Sequence, residues 1–112
     1  MNAHISNLQD LSPKPTQIKL DKVRTIVFDM FALSKLEEIY GSQEEAFKAF
    51  GLGKVKDICN FLLAGLLHED SELTIDKTMQ MIGMGKLQIL SDIIMTALNL
   101  DLPDPNVQTH QN

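Results

Sequence analysis

The sequence predicts an α+β fold that is mainly helical, with a short N-terminal β-hairpin followed by about five helices packed around a central apolar helix. Two observations predict this fold. Between Ile18 and Phe50 the apolar spacing changes from every second residue to every third or fourth, which marks a change from strand to helix. Farther along, residues 54–67 are apolar around most of a helical circumference, which is typical of a helix enclosed by protein.

The size of the chain predicts one domain. It has 112 residues, 44% of them hydrophobic and 22% charged, as in ordinary globular proteins. We expect a folded domain over residues 17–102, a flexible N-terminal arm over 1–16 and a flexible tail over 103–112. Pro13 and Pro15 remove backbone donors from the arm, and the tail is polar.

Composition argues against several classes of partner. The formal net charge is −5, and Arg24 is the single arginine beside nine lysines, which disfavours nucleic-acid binding. The longest apolar run, residues 61–67, is far shorter than the ~20 residues that span a bilayer, and no secretory signal is evident. One cysteine, Cys59, allows no internal disulfide, which fits a reducing cytoplasm. We therefore expect an intracellular protein that binds neither nucleic acid nor membrane.

Two short strands, Ile18–Leu20 and Val23–Phe28, are predicted around Asp21 and Lys22 because apolar residues alternate there. The turn lacks the glycine that a tight hairpin favours. An isolated two-stranded ribbon is marginal in water, so it must pack on the helices or gain strands from another subunit.

The first helix is predicted from Met30 to Tyr40. Asp29 can cap its N-terminus, and Gly41 can adopt the left-handed conformation that ends it. Leu36 lies on its apolar face, together with Ala32, Leu33, Ile39 and Tyr40.

The second helix starts at a capping box, in which Ser42 and Glu45 each satisfy a free amide. It is predicted to bury Phe47 and Phe50 and to end at Gly51 and Gly53.

The central helix, residues 54–67, leaves only Asp57, Asn60 and Ala64 as a more polar stripe. Gly65 lies within its apolar arc, where it costs about 1 kcal/mol relative to alanine. We therefore expect Gly65 to permit a close backbone approach.

The fourth helix is predicted from a Thr74 cap to about Met84, with Ile75, Met79 and Ile82 facing inward. The last helix is predicted over residues 86–100. Its inward stripe consists of Leu87, Leu90, Ile94, Ala97 and Leu98.

These two helices carry surplus apolar residues. A second apolar edge on the last helix exceeds what a small monomer should expose, and methionine suits surfaces that accept several partners. The predicted partner or self-association surface consists of Met81, Met84, Ile89, Ile93 and Leu100. The alternative is that these residues add to the core or to a subunit contact.

The chain shows no catalytic, metal-binding or cofactor-binding signature. His68, Glu69 and Asp70 are adjacent, so they cannot all reach one ion from regular structure, and we expect a solvated loop or a helix cap. Glu37 and Glu38 diverge by about 100° on a helix; Glu37 flanks the apolar face, where it could take a buried hydrogen bond. The glycine pairs before Lys54 and Lys86 lack the full spacing of a phosphate loop, and His4 and His110 lie near the chain ends.

The order of these motifs resembles the tail assembly chaperones of long-tailed bacteriophages and prophages, which are related to gene-transfer-agent tail proteins. The resemblance covers residues 17–102 and rests on packing and capping residues, with the missing turn glycine at Lys22 as a departure. The motif residues are Leu36, Glu37, Tyr40, Gly41 and Ser42, followed by His68 in the acidic loop and Thr74 at the fourth helix.

The resemblance implies a non-enzymatic assembly factor of the host bacterial cytoplasm that is absent from the mature virion. Its partners would be the tape-measure protein and the major tail-tube protein, and it would need no cofactor. The surplus apolar edge leaves self-association into a homo-oligomer open. The alternatives are a small helical adaptor or regulatory interaction module and, less favoured by the charge, a DNA-binding regulator.

Overall fold

A computed structural model describes residues 8–99 and confirms an α+β, mainly helical fold. The two antiparallel strands are β1 (Thr16–Lys19) and β2 (Val23–Ile26). The helices are α1 (Met30–Tyr40), α2 (Gln43–Leu52), α3 (Val55–Leu66), α4 (Ile75–Gln80) and α5 (Leu87–Ala97). The predicted tail 103–112, Leu100, His4 and His110 lie outside the described residues.

The hairpin pairs Thr16 with Ile26 and Lys19 with Val23. β1 therefore begins at the last residue of the predicted arm, and β2 is two residues shorter than predicted. Val27 leaves the ladder because its backbone N–H donates to the carbonyl oxygen of Gly65 in α3, at 2.9 Å. β2 thus ends at Ile26, because the next backbone N–H bonds to α3 and not to β1.

The predicted caps position α1 and α2. Asp29 accepts a hydrogen bond from the Ala32 N–H at 2.9 Å, and Gly41, with φ of +95°, ends α1 by donating to the Glu37 carbonyl. Ser42 accepts from the Glu45 N–H at 3.0 Å. The reciprocal half of the predicted capping box is not seen among residues 8–99, since the Glu45 carboxylate lies 3.6 Å from the Lys48 ammonium group.

The predicted stop at Gly51 is wrong, because α2 continues through this residue to Leu52. Gly51 keeps a right-handed conformation and is exposed, so the helix loses little by including it. Gly53, with φ of +73°, provides the left-handed residue that ends the helix.

Helix α3 is the centre of the fold, as predicted, and contacts β2 and every other helix. Each residue from Ile58 to Leu66 is buried. The predicted polar stripe is therefore wrong at Asn60 and Ala64, which are 8% and 2% exposed. Neighbouring helices enclose this side as well, and the Asn60 amide finds a polar partner there.

Phe61 on α3 is fully buried and carries the aromatic core. Its ring centroid lies 4.7 Å from that of Phe50 and 5.6 Å from that of Phe47, both on α2. The rings of Tyr40 on α1 and Phe28 after β2 are each 6.4 Å away. These distances are those of favourable aromatic pairs, so one side chain joins three parts of the chain.

Gly65 permits a close approach between α3 and β2, as predicted. A Cβ atom at this position would lie 2.7 Å from Cγ2 of Ile26 and 3.1 Å from Cζ of Phe28. Ile26 is fully buried and cannot move aside easily. The absence of a side chain at Gly65 therefore sets the distance between the hairpin and the helical body.

Helix α4 is shorter than predicted, because it ends at Gln80 and not near Met84. Thr74 caps it as predicted, accepting from the Lys77 N–H at 3.2 Å. The predicted inner face is wrong at Met79, which is 37% exposed, whereas Thr78 is fully buried. The Thr78 hydroxyl avoids an unpaired buried donor by bonding the Thr74 carbonyl at 2.8 Å.

Helix α5 ends at Ala97, before the predicted boundary at residue 100. Leu90, Ile94 and Ala97 are buried, and Leu87 and Leu98 pack against the core, which confirms the predicted inward stripe. Asn99 has a φ of +62°, a conformation in which an α-helix cannot continue.

Candidate partner-binding surface

The predicted surface residues differ in exposure. Met84 is 99% exposed and Ile89 is 56% exposed, whereas Met81 and Ile93 are half-buried and pack against the core. Leu100 lies outside the described residues. Met81 belongs to the predicted surface, but α4 ends before this residue and its side chain packs against the core.

Three of these residues, Met81, Ile89 and Ile93, line one groove of about 200 Å³ between β1, the α4–α5 connection and α5. We call it the α5 groove. Its other lining residues are Ile18, Lys19, Leu20, Ile82, Gly83, Lys86 and Leu90. Met84 is not part of this lining; it follows Gly83 in the chain, and its side chain is exposed. Partner binding by these residues stays a prediction.

A second and larger groove, of about 740 Å³, was missed by the sequence reasoning. We call it the α1 groove. It is lined by Phe31, Ser34, Lys35, Glu38, Ile39, Asn60, Leu63, Leu67, Ser71, Leu73, Thr74 and Ile75. Phe31 is 66% exposed, and Ile39, predicted on the core face of α1, is 38% exposed. The signal was present in the sequence, because Phe31 lies outside the apolar stripe of α1 without being polar.

Arg24 forms an ion-pair cluster that sequence reasoning also missed. Its side chain is 6% exposed, and Nε and a terminal nitrogen lie 2.7 and 2.9 Å from the two carboxylate oxygens of Asp21. Asp70 and Glu69 lie 3.6 and 3.8 Å away. The hydrogen bond from Arg24 lowers the pKa of Asp21 to about 2. A signal existed, because Arg24 alternates with Ile26 and so shares the buried face of β2.

The acidic loop after α3 is attached to the hairpin. Nε2 of His68 lies 2.6 Å from the carbonyl oxygen of Thr25, and the Glu69 carboxylate accepts from the Thr25 N–H at 3.3 Å. His68 is exposed, as expected, but its partner is β2 and not a helix end. No cluster of three or more metal-ligating side chains with metal-site geometry occurs within residues 8–99.

The predicted buried hydrogen bond of Glu37 is wrong. Its side chain is exposed and makes no hydrogen bond within the described part of the chain, so its place in the motif comes from its backbone carbonyl, which accepts from Gly41. Glu38 is exposed as expected and lies 3.2 Å from the Lys35 ammonium group.

The Tyr40 hydroxyl joins α1 to α3. It donates to Oδ1 of Asp57 at 2.6 Å and accepts from Nδ2 of Asn60 at 3.1 Å. Burial, with the neighbouring Asp57 carboxylate, raises the pKa of Tyr40 to about 12. The motif tyrosine therefore has a packing role, and it accepts a hydrogen bond from the one polar side chain buried in α3.

Titration of Tyr40 tests this arrangement directly, because the chain has one tyrosine and no tryptophan. Phenolate absorbance near 295 nm should rise with a midpoint of about 12 in the folded protein and about 10 in urea. The raised native pKa stabilises the fold fully below pH 10, and this contribution is lost as pH rises from 10 to 12. Tyr40→Phe should remove that pH-dependent loss. A native midpoint near 10, with circular dichroism unchanged, would contradict the buried contact.

Cys59 lies in the core of α3 and is 1% exposed. Burial raises the pKa of its thiol, which disfavours the nucleophilic thiolate. The geometry therefore gives Cys59 the environment of a small core residue.

Comparison with protein-family models, with curated proteins and with solved structures found no match to this chain. Within residues 8–99, no helix combines the length and apolar character needed to cross a membrane.

Proposed function

We propose that this protein is a non-catalytic phage tail assembly chaperone, which binds the tape-measure protein and tail-tube subunits during tail assembly. It acts in the host bacterial cytoplasm and is absent from the mature virion. One observation carries the proposal: a small acidic domain exposes large apolar side chains, and two of them, Phe31 and Ile89, line grooves. Met84, Phe31 and Ile89 are 99%, 66% and 56% exposed. The motif resemblance over residues 17–102 supports the choice of partner.

Apolar grooves on an acidic domain suit the chemistry of a tape-measure protein. A tape-measure protein is a long, largely helical chain whose apolar stripes would aggregate before the tail tube encloses them. Apolar grooves can cover such stripes reversibly, in the way that helices bind to grooves in other complexes. A net charge of −5 would keep the complex in solution. An adaptor or regulatory module would use the same surface for a different partner.

Ile89→Asp should abolish co-purification of the tape-measure protein while the helical circular dichroism is retained. Ile93 is the less suitable position, because it packs against the core and a carboxylate there would also destabilise the fold. Ile89 is 56% exposed, so its replacement changes the groove with a stability effect within about 0.5 kcal/mol. Co-expression with the tape-measure protein, followed by measurement of the amount remaining in the supernatant, provides the readout.

Leu52→Asp is the matched control, because Leu52 is 73% exposed at the end of α2 and lines neither groove. It should keep wild-type co-purification. A folded Ile89→Asp variant that retains the tape-measure protein as well as Leu52→Asp does would argue against this surface. Size-exclusion chromatography with light scattering separates partner binding from self-association. A gene neighbourhood without a very long tape-measure gene downstream would favour the adaptor.

A further inference from the structure

The α5 groove has a size and composition suited to side chains of another protein. Its volume of about 200 Å³ is below the ~300–1,000 Å³ of typical small-molecule pockets. Ile18 and Leu90, which are 8% and 3% exposed, provide an apolar floor, and Ile89 stands exposed at the edge. One or two branched aliphatic side chains from a helix can fill such a space.

The charge of the groove is opposite to that of the whole chain. Its lining includes Lys19 and Lys86 and no aspartate or glutamate, although the net charge of the protein is −5. Both lysines are exposed, and neither forms an ion pair within residues 8–99. The nearby Asp21, which follows β1, forms its ion pair with Arg24 and not with Lys19 or Lys86. The groove therefore combines an apolar floor with two available cations.

We propose that the α5 groove binds an amphipathic helix whose apolar stripe is flanked by carboxylates. The stripe fills the groove, and the carboxylates pair with the ammonium groups of Lys19 and Lys86, whose methylene stems extend the apolar contact. The identity of this helix rests on the proposed function: in a tail assembly chaperone, it is an acidic segment of the tape-measure protein. A second copy fits less well, because a two-fold contact would bring the lysines of both copies together.

The test uses two synthetic helical peptides with the same leucine stripe, flanked by glutamate in one and by lysine in the other. Fluorescence anisotropy should show that the wild-type protein binds the acidic peptide more tightly than the basic peptide. This preference should weaken as salt is added. The double variant Lys19→Glu/Lys86→Glu should bind the acidic peptide about tenfold more weakly and gain affinity for the basic peptide. Because both lysines are exposed, the fold is retained.

Lys54→Glu/Lys56→Glu is the control, since these lysines are exposed at the start of α3 and line neither groove. The affinity of this control variant for the acidic peptide should match that of the wild type. Equal binding of both peptides, binding of neither peptide, or no effect of charge reversal at the groove would overturn the proposal. A chain ending at Asn99 that binds the acidic peptide much more tightly would assign the groove to residues 100–112 and would also overturn it.

The two proposals can fail separately. A tape-measure complex formed without any charge preference would remove only the acidic-helix inference. A clear preference for the acidic peptide, with no tape-measure complex, would remove the chaperone function and leave the groove assignment intact.

Discussion

Phe61→Ala should destabilise the protein by about 3–5 kcal/mol, the range measured for large-to-small replacements of buried aromatic residues. The Phe61 side chain is fully buried, and four rings from α1, α2 and the segment after β2 pack against it. Those rings come from three different parts of the chain, so none can move into the cavity without breaking other contacts. Because small domains are stable by only about 5–15 kcal/mol, this variant should be close to unfolding.

Urea unfolding followed by circular dichroism at 222 nm measures this effect. Phe31→Ala is the matched control: it removes the same side chain from a position that is 66% exposed, and it should change stability by no more than about 0.5 kcal/mol. If the free energy of unfolding of Phe61→Ala lies within about 1 kcal/mol of the wild-type value, the aromatic cluster does not hold the three parts of the chain together.

Gly65→Val should have the second-largest effect, a destabilisation of about 3 kcal/mol. The first added carbon already lies 2.7 Å from Ile26, which is fully buried, and 3.1 Å from Phe28. Relief of the clash would require moving β2 away from α3. That movement would also lengthen the hydrogen bond from the Val27 N–H to the Gly65 carbonyl oxygen. We therefore expect the hairpin to become more mobile together with the loss of global stability.

Gly51→Val provides the comparison, because Gly51 lies within α2, has no positive φ, and leaves open space where a Cβ atom would stand, with no neighbouring atom within 4 Å. Valine is a slightly better helix former than glycine, so this change should be neutral or stabilising by a few tenths of a kcal/mol. Urea midpoints give both values, and amide hydrogen exchange of Thr25 and Val27 reports on the hairpin. Equal midpoints for the two variants would show that α3 and β2 do not approach closely at Gly65.

Local signals in the sequence were sufficient for most elements. The spacing of apolar residues predicted two strands and five helices, because a buried face must repeat with the period of its own backbone. The caps at Asp29, Ser42 and Thr74 were predictable because each bonds an amide three residues away. The sequence predicted a close approach at Gly65 but not its partners. Glycine inside a helix lowers stability relative to alanine, so its presence on an apolar face indicates that a side chain would not fit there.

The candidate surface was predicted only in part. A surplus of apolar residues on α5 could be read from its helical pattern, and the structure brings Met81, Ile89 and Ile93 into one groove. The pattern did not show that β1 supplies the other wall with Lys19, because this requires the path of the chain in space. The same holds for Phe31 and Ile39, whose exposure depends on where α4 leaves a gap.

The order of the elements, their caps and the identity of the central helix depend on interactions between residues close in the chain, so the amino-acid pattern was enough to predict them. Which of those residues become enclosed depends on how the elements pack against one another in space. Asn60 is buried because Tyr40 offers it a partner 20 positions away, and Arg24 is buried because Glu69 and Asp70 return to it beside Asp21. Both side chains are compensated in part by groups distant in sequence, and no local pattern contains those partners.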